Sequence, residues 1–186
     1  MLRHFDEELK DLRHQLLKMA DTSQEMIGLA IKALVDRKES FSKEVFVLEE
    51  NVNRMENEIE DEALRLLALR QPAAGDLRLL TAILKINNDL ERVADQAVNI
   101  AEIAVYLLKE PSLKPLIDIP YMATLAQTMI KNSLNAFVNQ DAALAHKLDM
   151  ADAVIYATAL ICGARIVTSD ADLKDLPGVV YHSKKK

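Results

Sequence analysis

The fold is decided by the stretch Gln71–Glu102, which reads Q-P-A-A-G-D-L-R-L-L-T-A-I-L-K-I-N-N-D-L-E-R-V-A-D-Q-A-V-N-I-A-E. Its proline ends any preceding helix, because the residue before a proline avoids the helical region. Beyond the proline, apolar residues recur at steps of three and four, which is the spacing of the buried stripe of an amphipathic helix. They are Leu77, Leu80, Leu84, Leu90, Val93, Ala94, Ala97, Ile100 and Ala101. The sequence therefore predicts one long helix here.

A row of polar residues lies beside this apolar stripe. Glu91, Asp95 and Asn99 follow each other at steps of four, so they stack on one face of the predicted helix. A column of side-chain oxygens at the edge of a helical core can hold a hard metal ion. The alternative is a solvated helix face, because charged residues at this spacing are ordinary on exposed helices.

The composition favours long helices and a reducing compartment. Of the 186 residues, 50% are apolar but only 4% aromatic, and there are 4 Gly and 5 Pro. Such a core is built from Leu, Ile, Val, Ala and Met, as in many helical proteins. The single cysteine, Cys162, excludes an internal disulfide. The net charge of -6 argues against non-specific nucleic-acid binding by the whole chain.

Neither a signal peptide nor a membrane span is expected. The first eight residues are charged throughout, without the apolar segment of a secretory signal. No apolar run approaches the roughly 20 residues that cross a bilayer. We therefore expect a soluble, cytoplasmic protein.

Two further long helices precede the first stretch. The pattern predicts helices over residues 2–36 and 41–69, joined by a turn in which Ser40 or Ser42 is the N-cap. Together with a helix over 74–109, they form an antiparallel bundle, because short connections make neighbouring helices antiparallel. The apolar seam of the second helix is predicted to contain Val45, Leu48, Val52, Met55, Ile59, Ala63 and Leu66.

The second helix carries its own oxygen-bearing column. This column consists of Glu49, Asn53, Glu56 and Glu60. If it faces the column on the third helix, carboxylates from two helices could bridge metal ions, as in the dinuclear sites of other bundles. The alternative is again an acidic, exposed face.

The remainder of the chain changes character twice. Three prolines over residues 110–120 predict a linker, and a fourth helix is predicted over 121–148. From residue 149 onward, an apolar helical segment precedes two short strands at 165–168 and 179–181. The predicted fold is therefore all-α, with a short α/β-like C-terminal tail.

Two motifs resemble the PhoU family of phosphate-uptake regulators. The family's repeat carries Q-P-x-x-x-D-L-R, which matches Gln71–Arg78, and a column E-x-x-x-D-x-x-x-N, which matches Glu91, Asp95 and Asn99. The likeness extends over residues 1–148. It implies a complete three-helix repeat over 1–109 and a second repeat that stops after its first helix.

The resemblance also implies a function. Members of that family are non-enzymatic negative regulators that act between a phosphate ABC transporter and a sensor histidine kinase, commonly as dimers. The implied cofactor is a metal ion (iron, zinc, manganese or magnesium) held by Glu91, Asp95 and Asn99. The implied protein binds no nucleic acid and meets the membrane only through the transporter.

The tail resembles a different family. The segments A-D-A-V-I-Y-A-T-A at 151–159 and I-V-T-S-D-A-D-L at 166–173 are similar to the last third of a PIN domain, a metal-dependent ribonuclease fold. The matching acids are Asp152 and Asp170, with Asp172 nearby, whereas the other two acids of that family have no counterpart. The resemblance implies residues 149–186 as a PIN-like fragment, joined to the bundle near residues 146–150.

Two alternatives to a regulator follow. One is a metal-dependent ribonuclease whose site is completed by the tail, and the other is a purely structural helical module. Motifs for nucleotide hydrolysis, acyl transfer and structural zinc are absent from the sequence. The four histidines share no spacing with the acids and are predicted to lie on the surface.

Overall fold

The structure is a computed structural model that describes residues 2–112, 115–139, 166–168 and 179–181. The helices are α1 (Leu2–Asp36), α2 (Glu39–Arg70), α3 (Ala74–Leu107) and α4 (Asp118–Asn139). The strands are β1 (Ile166–Thr168) and β2 (Val179–Tyr181). The chain divides into two units, residues 1–114 and 115–186, which are described separately. The predicted fold class, a bundle of long helices, is confirmed.

The first unit is a three-helix bundle in which each helix contacts the other two. The turns between helices are only two or three residues long, so the chain must run up, down and up again. Side chains at both ends of the bundle confirm this direction. Glu8 near the start of α1 meets Arg70 at the end of α2, and Arg37 after α1 meets Leu107 at the end of α3.

The core of the bundle follows a heptad pattern on all three helices. Buried residues alternate at steps of three and four, which keeps one seam of each helix facing its neighbours. On α1 the buried seam comprises Phe5, Leu9, Leu12, Leu16, Met19, Ser23, Met26, Ala30 and Ala33. On α3 it comprises Leu80, Ile83, Asn87, Leu90, Ala94, Ala97, Ala101 and Ala104. The alanines in the second half of α3 leave room for neighbouring backbones to approach closely.

Helices α1 and α2 both end in a residue with left-handed backbone geometry. Arg37 has a φ of 55° and Gln71 has a φ of 45°, which is the conformation that often terminates helices. The Arg37 side chain then donates hydrogen bonds to the carbonyls of Leu107 at 2.8 Å and Glu110 at 2.6 Å. The last carbonyls of a helix have no partner within it, so this arginine satisfies the end of α3.

An ion pair fastens the opposite end of the bundle. The Glu8 carboxylate, whose side chain is 12% exposed, accepts two hydrogen bonds from Arg70, both at 3.0 Å. A third bond comes from Arg65, also at 3.0 Å. Paired bonds between a guanidinium and a carboxylate fix both position and orientation, so the start of α1 is held against the end of α2.

Two predictions about side chains were wrong. Neither serine caps α2, because the helix begins at Glu39 with Lys38 at the N-cap. Ser42 instead lies in phase with Val45, so it faces the core, where it is 1% exposed. Leu77, which was predicted to belong to the buried stripe of α3, is 44% exposed, because the stripe begins one turn later at Leu80.

The fourth helix begins earlier than predicted. It starts at Asp118 rather than Tyr121 and contains Pro120 in its first turn. Proline is tolerated there because the first amide groups of a helix have no intrahelical partner to lose. The linker predicted over 110–120 is therefore shorter, and the predicted end of this helix at residue 148 lies outside the described residues.

The two predicted strands are present and run parallel. Ile166 pairs with Val179, Val167 with Val180 and Thr168 with Tyr181. The sequence placed both strands to within one residue. Within the described ranges, none of the helices combines the length and the apolar character needed to span a bilayer.

Candidate functional site

Two carboxylates of α2 lie in line with its buried seam. Val45, Val52 and Ile59 are fully buried, and Glu49 and Glu56 occupy the intervening positions of the same three-and-four spacing. Both glutamates are half-buried. The sequence predicted Leu48 and Met55 for these seam positions. Leu48 and Met55 are half-buried too, so both pairs border the seam, and the acids are the ones that lie near carboxylates of α3.

The partner residues on α3 form a column at steps of four. Asn87, Glu91 and Asp95 follow each other along one face of the helix. Asn87 is only 3% exposed, and its Nδ2 donates a hydrogen bond to the main-chain carbonyl of Glu56 at 2.9 Å. This bond places the α3 column beside the α2 acids.

The surroundings of Glu49 show that its carboxyl lies near acids of α3. Burial raises the pKa of the Glu49 carboxyl, and repulsion from Asp95 and then from Glu102 raises it further. Both of these neighbours belong to α3. The carboxyl of Glu49 therefore lies in the negative field of the facing helix.

Glu91 on α3 likewise lies near an acid of the facing helix α2. Burial raises the pKa of its carboxyl, followed by repulsion from Asp95 and Glu56. A hydrogen bond between the side chains of Glu91 and Asp95 raises the pKa further, whereas the positive charge of Arg92 opposes the shift. The structure thus brings the predicted residues of both helices together. We call this set the acidic face, and it consists of Glu49, Glu56, Glu91, Asp95 and Glu102.

Other predicted ligands are not brought into the acidic face. Asn53, Glu60 and Asn99 are exposed on the same two helices, and nothing in the described part of the chain joins their side chains to it. Asp152, Asp170 and the nearby Asp172 lie outside the described residues.

Asn87 is the residue that the sequence reading missed. Its position was nonetheless a signal, because Asn87 keeps the heptad phase of Ile83 and Leu90 and stands one turn before Glu91. Its Oδ1 is buried and accepts no hydrogen bond from the described residues.

The donors of the acidic face are all oxygens, so their chemistry suits hard cations such as Mg²⁺, Mn²⁺ or Fe²⁺ better than Zn²⁺, which favours nitrogen and sulfur. Across the described ranges, no three His, Cys, Asp or Glu side chains converge on a position that could hold an ion. The face instead offers carboxylates in pairs, Glu49 with Asp95 and Glu56 with Glu91. Mg²⁺ is commonly bound through one or two carboxylates, with waters and phosphate groups as its other ligands. The residues therefore fit a hydrated hard cation.

The electrostatics of the face point in the same direction. Burial and then repulsion between the carboxylates raise the pKa of Glu49 and of Glu91, because both effects disfavour the charged form. A bound cation or a bound proton would relieve the same repulsion. Positive charge bound at the acidic face would therefore stabilise the packing of α2 against α3.

Comparisons with known proteins agree on one family. A family model described as the PhoU domain matches residues 16–104. A phosphate-specific transport system accessory protein PhoU homolog from Aquifex aeolicus is 40% identical over 141 residues, which cover 76% of this chain and 64% of that protein. The homolog from Pseudomonas aeruginosa is 35% identical over 162 residues, covering 85% of this chain and 67% of that protein. The chain thus spans about two thirds of the length of these curated relatives.

A solved structure shares the fold. The crystal structure of PhoU from Pseudomonas aeruginosa superposes with a TM-score of 0.76 at 35% identity, covering 84% of this chain and 77% of that one. The comparisons do not support a PIN-like tail or a junction near residues 146–150. The Pseudomonas aeruginosa homolog aligns with 85% of the chain, which is more than residues 1–148 can supply.

Proposed function

The chain belongs to the PhoU family, and from that premise we propose that it regulates phosphate uptake as an accessory protein of a phosphate transporter. Its relatives are named as accessory proteins of the phosphate-specific transport system. In keeping with those names, the chain is not an enzyme and acts by binding. The sensor histidine kinase and a second copy of the chain are further proposed partners, assigned from the family resemblance alone.

The acidic face is the part of the chain to which we assign a cation. The observation that carries this assignment is the opposition of Glu49 and Asp95 across the α2–α3 interface, where burial and then repulsion from Asp95 raise the pKa of Glu49. When bound, a divalent cation supplies the positive charge that this interface lacks. The residues that would hold it are the pair Glu49 and Asp95 or the pair Glu56 and Glu91, each with one member on either helix.

The regulatory role can be tested by phosphate uptake in a bacterium that lacks its own PhoU protein. The wild-type chain should restore the low uptake rate of cells grown with ample phosphate. The variant Glu49→Gln/Glu91→Gln/Asp95→Asn should not, although it is produced in equal amount. The matched control Glu44→Gln/Glu58→Gln/Asp61→Asn removes three exposed acids of α2 and should behave as wild type.

Two outcomes would count against these assignments. If the wild-type chain is produced and folded but leaves uptake unchanged, the regulatory proposal fails. If the variant of the acidic face restores uptake as well as wild type, regulation does not depend on the cation, and the face has another role.

A further inference from the structure

Two buried side chains join α2 to α3 by hydrogen bonds that run in opposite directions. Ser42 Oγ on α2 donates to the carbonyl of Ala101 on α3 at 3.1 Å. Asn87 Nδ2 on α3 donates to the carbonyl of Glu56 on α2 at 2.9 Å. The third buried polar side chain in the described ranges, Ser23, bonds within its own helix, to the carbonyl of Met19 at 2.9 Å. Polar contacts between buried side chains and a neighbouring helix therefore concentrate on the α2–α3 interface.

The two bonds are matched in spacing on both helices. Ser42 and Glu56 are fourteen residues apart on α2, and Asn87 and Ala101 are fourteen residues apart on α3. This separation corresponds to roughly 21 Å along each helix. Glu49 stands midway between the two contact points on α2. On α3, Asp95 stands within one residue of the midpoint. The hydrogen bonds therefore bracket the facing carboxylates.

Polar residues at these seam positions fix the register between α2 and α3 and contribute less to folding stability than apolar residues would. A buried hydroxyl or amide costs free energy unless it is hydrogen-bonded, and Asn87 additionally leaves its Oδ1 without a partner among the described residues. An apolar residue would fill the same position without that cost. A polar residue in a heptad seam is instead a device that selects one register between helices.

Ser42 fastens the half of the interface that lies far from the turn between α2 and α3. The turn after α2 connects it directly to α3, but that turn lies beyond Arg70, near one end of both helices. Glu49 lies 21 residues before the end of α2, and Asp95 lies 21 residues after the start of α3, which is roughly 30 Å along each helix. At the Ser42 end, Arg37 in the turn before α2 also bonds to the end of α3, and the Ser42 bond lies closer to the carboxylates, seven residues from Glu49 or roughly 10 Å along the helix.

We propose that Ser42 and Asn87 are positioning residues that hold the carboxylates of α2 and α3 opposite each other, so that one divalent cation can engage both helices. The purpose of the alignment rests on the cation assigned to the acidic face. The alignment itself does not, so the two can be tested separately.

The first measurement is the affinity of the metal-free full chain for Mn²⁺ alone, by calorimetric titration. The variant Ser42→Ala/Asn87→Leu keeps every carboxylate but loses both bonds. We expect its affinity to fall by roughly 10-fold or more, as when residues that orient metal ligands are removed, while its melting temperature stays equal or rises. Ser23→Ala is the matched control, because it deletes a buried hydroxyl that bonds within α1, and it should bind Mn²⁺ as wild type.

The second measurement reports the alignment without any metal. Nitroxide labels on cysteines at Glu44 of α2 and Gln96 of α3, both exposed, are placed in a Cys162→Ser background, and their separation is measured by pulsed electron resonance. Wild type should give one narrow distance distribution, and the double variant a broader or displaced one. A slip of one helical turn displaces a label by about 5 Å.

The outcomes separate the two claims. A double variant that binds Mn²⁺ as tightly as wild type and gives the same narrow distribution overturns the positioning role. If wild type binds no Mn²⁺ but the distribution broadens in the double variant, the positioning role stands and the cation assignment fails. Should the double variant not fold by circular dichroism, Ser42→Ala alone is used, since it removes one hydroxyl without adding volume.

Discussion

Glu49 on α2 and Asp95 on α3 repel each other across the interface between these two helices. Burial and this repulsion together raise the pKa of the Glu49 carboxyl. Glu91 and Glu56 repeat the arrangement further along the same interface. A bundle gains no stability from opposed carboxylates of this kind, so the chain carries them at a cost to its own folding. We expect a bound cation to offset that cost, and the following predictions test this expectation.

Neutralising Glu91 should stabilise the metal-free protein in a pH-dependent manner. Because its pKa is raised in the fold, the penalty for ionising Glu91 is absent below the ordinary pKa of an unfolded glutamate. The penalty grows as the pH rises through the folded pKa and is fully present above it. Glu91→Gln should therefore melt higher than wild type at pH 7, with a gain of roughly 0.2–0.5 kcal/mol for each like-charged neighbour removed.

The pH dependence is the decisive part of this prediction. Melting temperatures of both proteins, measured in chelator from pH 7 down to about pH 4, should converge at the acidic end. Glu58→Gln, on an exposed position of α2, controls for the loss of one negative charge. A Glu91→Gln variant that is less stable than wild type at pH 7 would contradict the repulsion we describe.

Divalent cations should stabilise the wild-type bundle. A ligand that binds only the folded state at 100 times its dissociation constant adds about 2.7 kcal/mol to the free energy of unfolding. Adding Mn²⁺ to metal-free protein should therefore raise the melting temperature, and the rise should be absent in Glu49→Gln/Glu91→Gln/Asp95→Asn. Sodium chloride at equal ionic strength controls for screening. An equal rise in both proteins would place the binding elsewhere.

The ion pair between Glu8 and Arg70 should contribute measurably to stability. Its two hydrogen bonds are paired and the Glu8 side chain is 12% exposed, so water screens it less than an ordinary surface pair. Arg70→Met, which keeps an apolar stem of similar length, should lower the free energy of unfolding by about 1–2 kcal/mol in urea titrations. Lys43→Met breaks the exposed pair with Glu39 and should change it little. Equal effects from both substitutions would show that the buried pair is not special.

Arg37 combines an unfavourable backbone with a useful side chain. Its φ of 55° favours glycine, yet its guanidinium satisfies carbonyls at the end of α3. Arg37→Ala should lose those bonds and keep the strained backbone, which costs about 1 kcal/mol or more. Arg37→Gly loses the same bonds but relaxes the backbone, so its loss in thermal unfolding should be smaller. A glycine variant less stable than the alanine variant would be contrary to this account.

The long helices were predictable from the sequence because periodicity is local. The three-and-four spacing and the proline at position 72 placed α1, α2 and α3 to within two residues at each boundary. The start of α4 was missed because Pro120 was read as excluding a helix, whereas the first turn of a helix tolerates proline.

The rotation of each helix about its own axis was harder to predict. On α2, the sequence offered Leu48 and Met55 or Glu49 and Glu56 for the same seam positions, and hydropathy favoured the apolar pair. In the structure both pairs are half-buried, and the acids lie near carboxylates of α3. This rotation is a tertiary property, so a single-helix pattern could propose the two acidic columns but not which acids face each other.

The polar residues of the core could not be identified from hydrophobic periodicity. Asn87 was not singled out, and Ser42 was predicted as one of two candidate N-caps because serine is common there. Both became recognisable once their partners, the carbonyls of Glu56 and Ala101, were known. Each partner lies on another helix, more than 30 residues away in the chain.

The most direct test of the central claim is the metal content of the purified, untagged protein, measured by elemental analysis. Wild type is compared with Glu91→Gln/Asp95→Asn and with the control Glu44→Gln/Glu58→Gln. We predict a near-stoichiometric divalent metal in wild type and the control, and only a trace in the variant of the acidic face. An equal trace in all three proteins would contradict the account, because the facing carboxylates of α2 and α3 would then bind no cation.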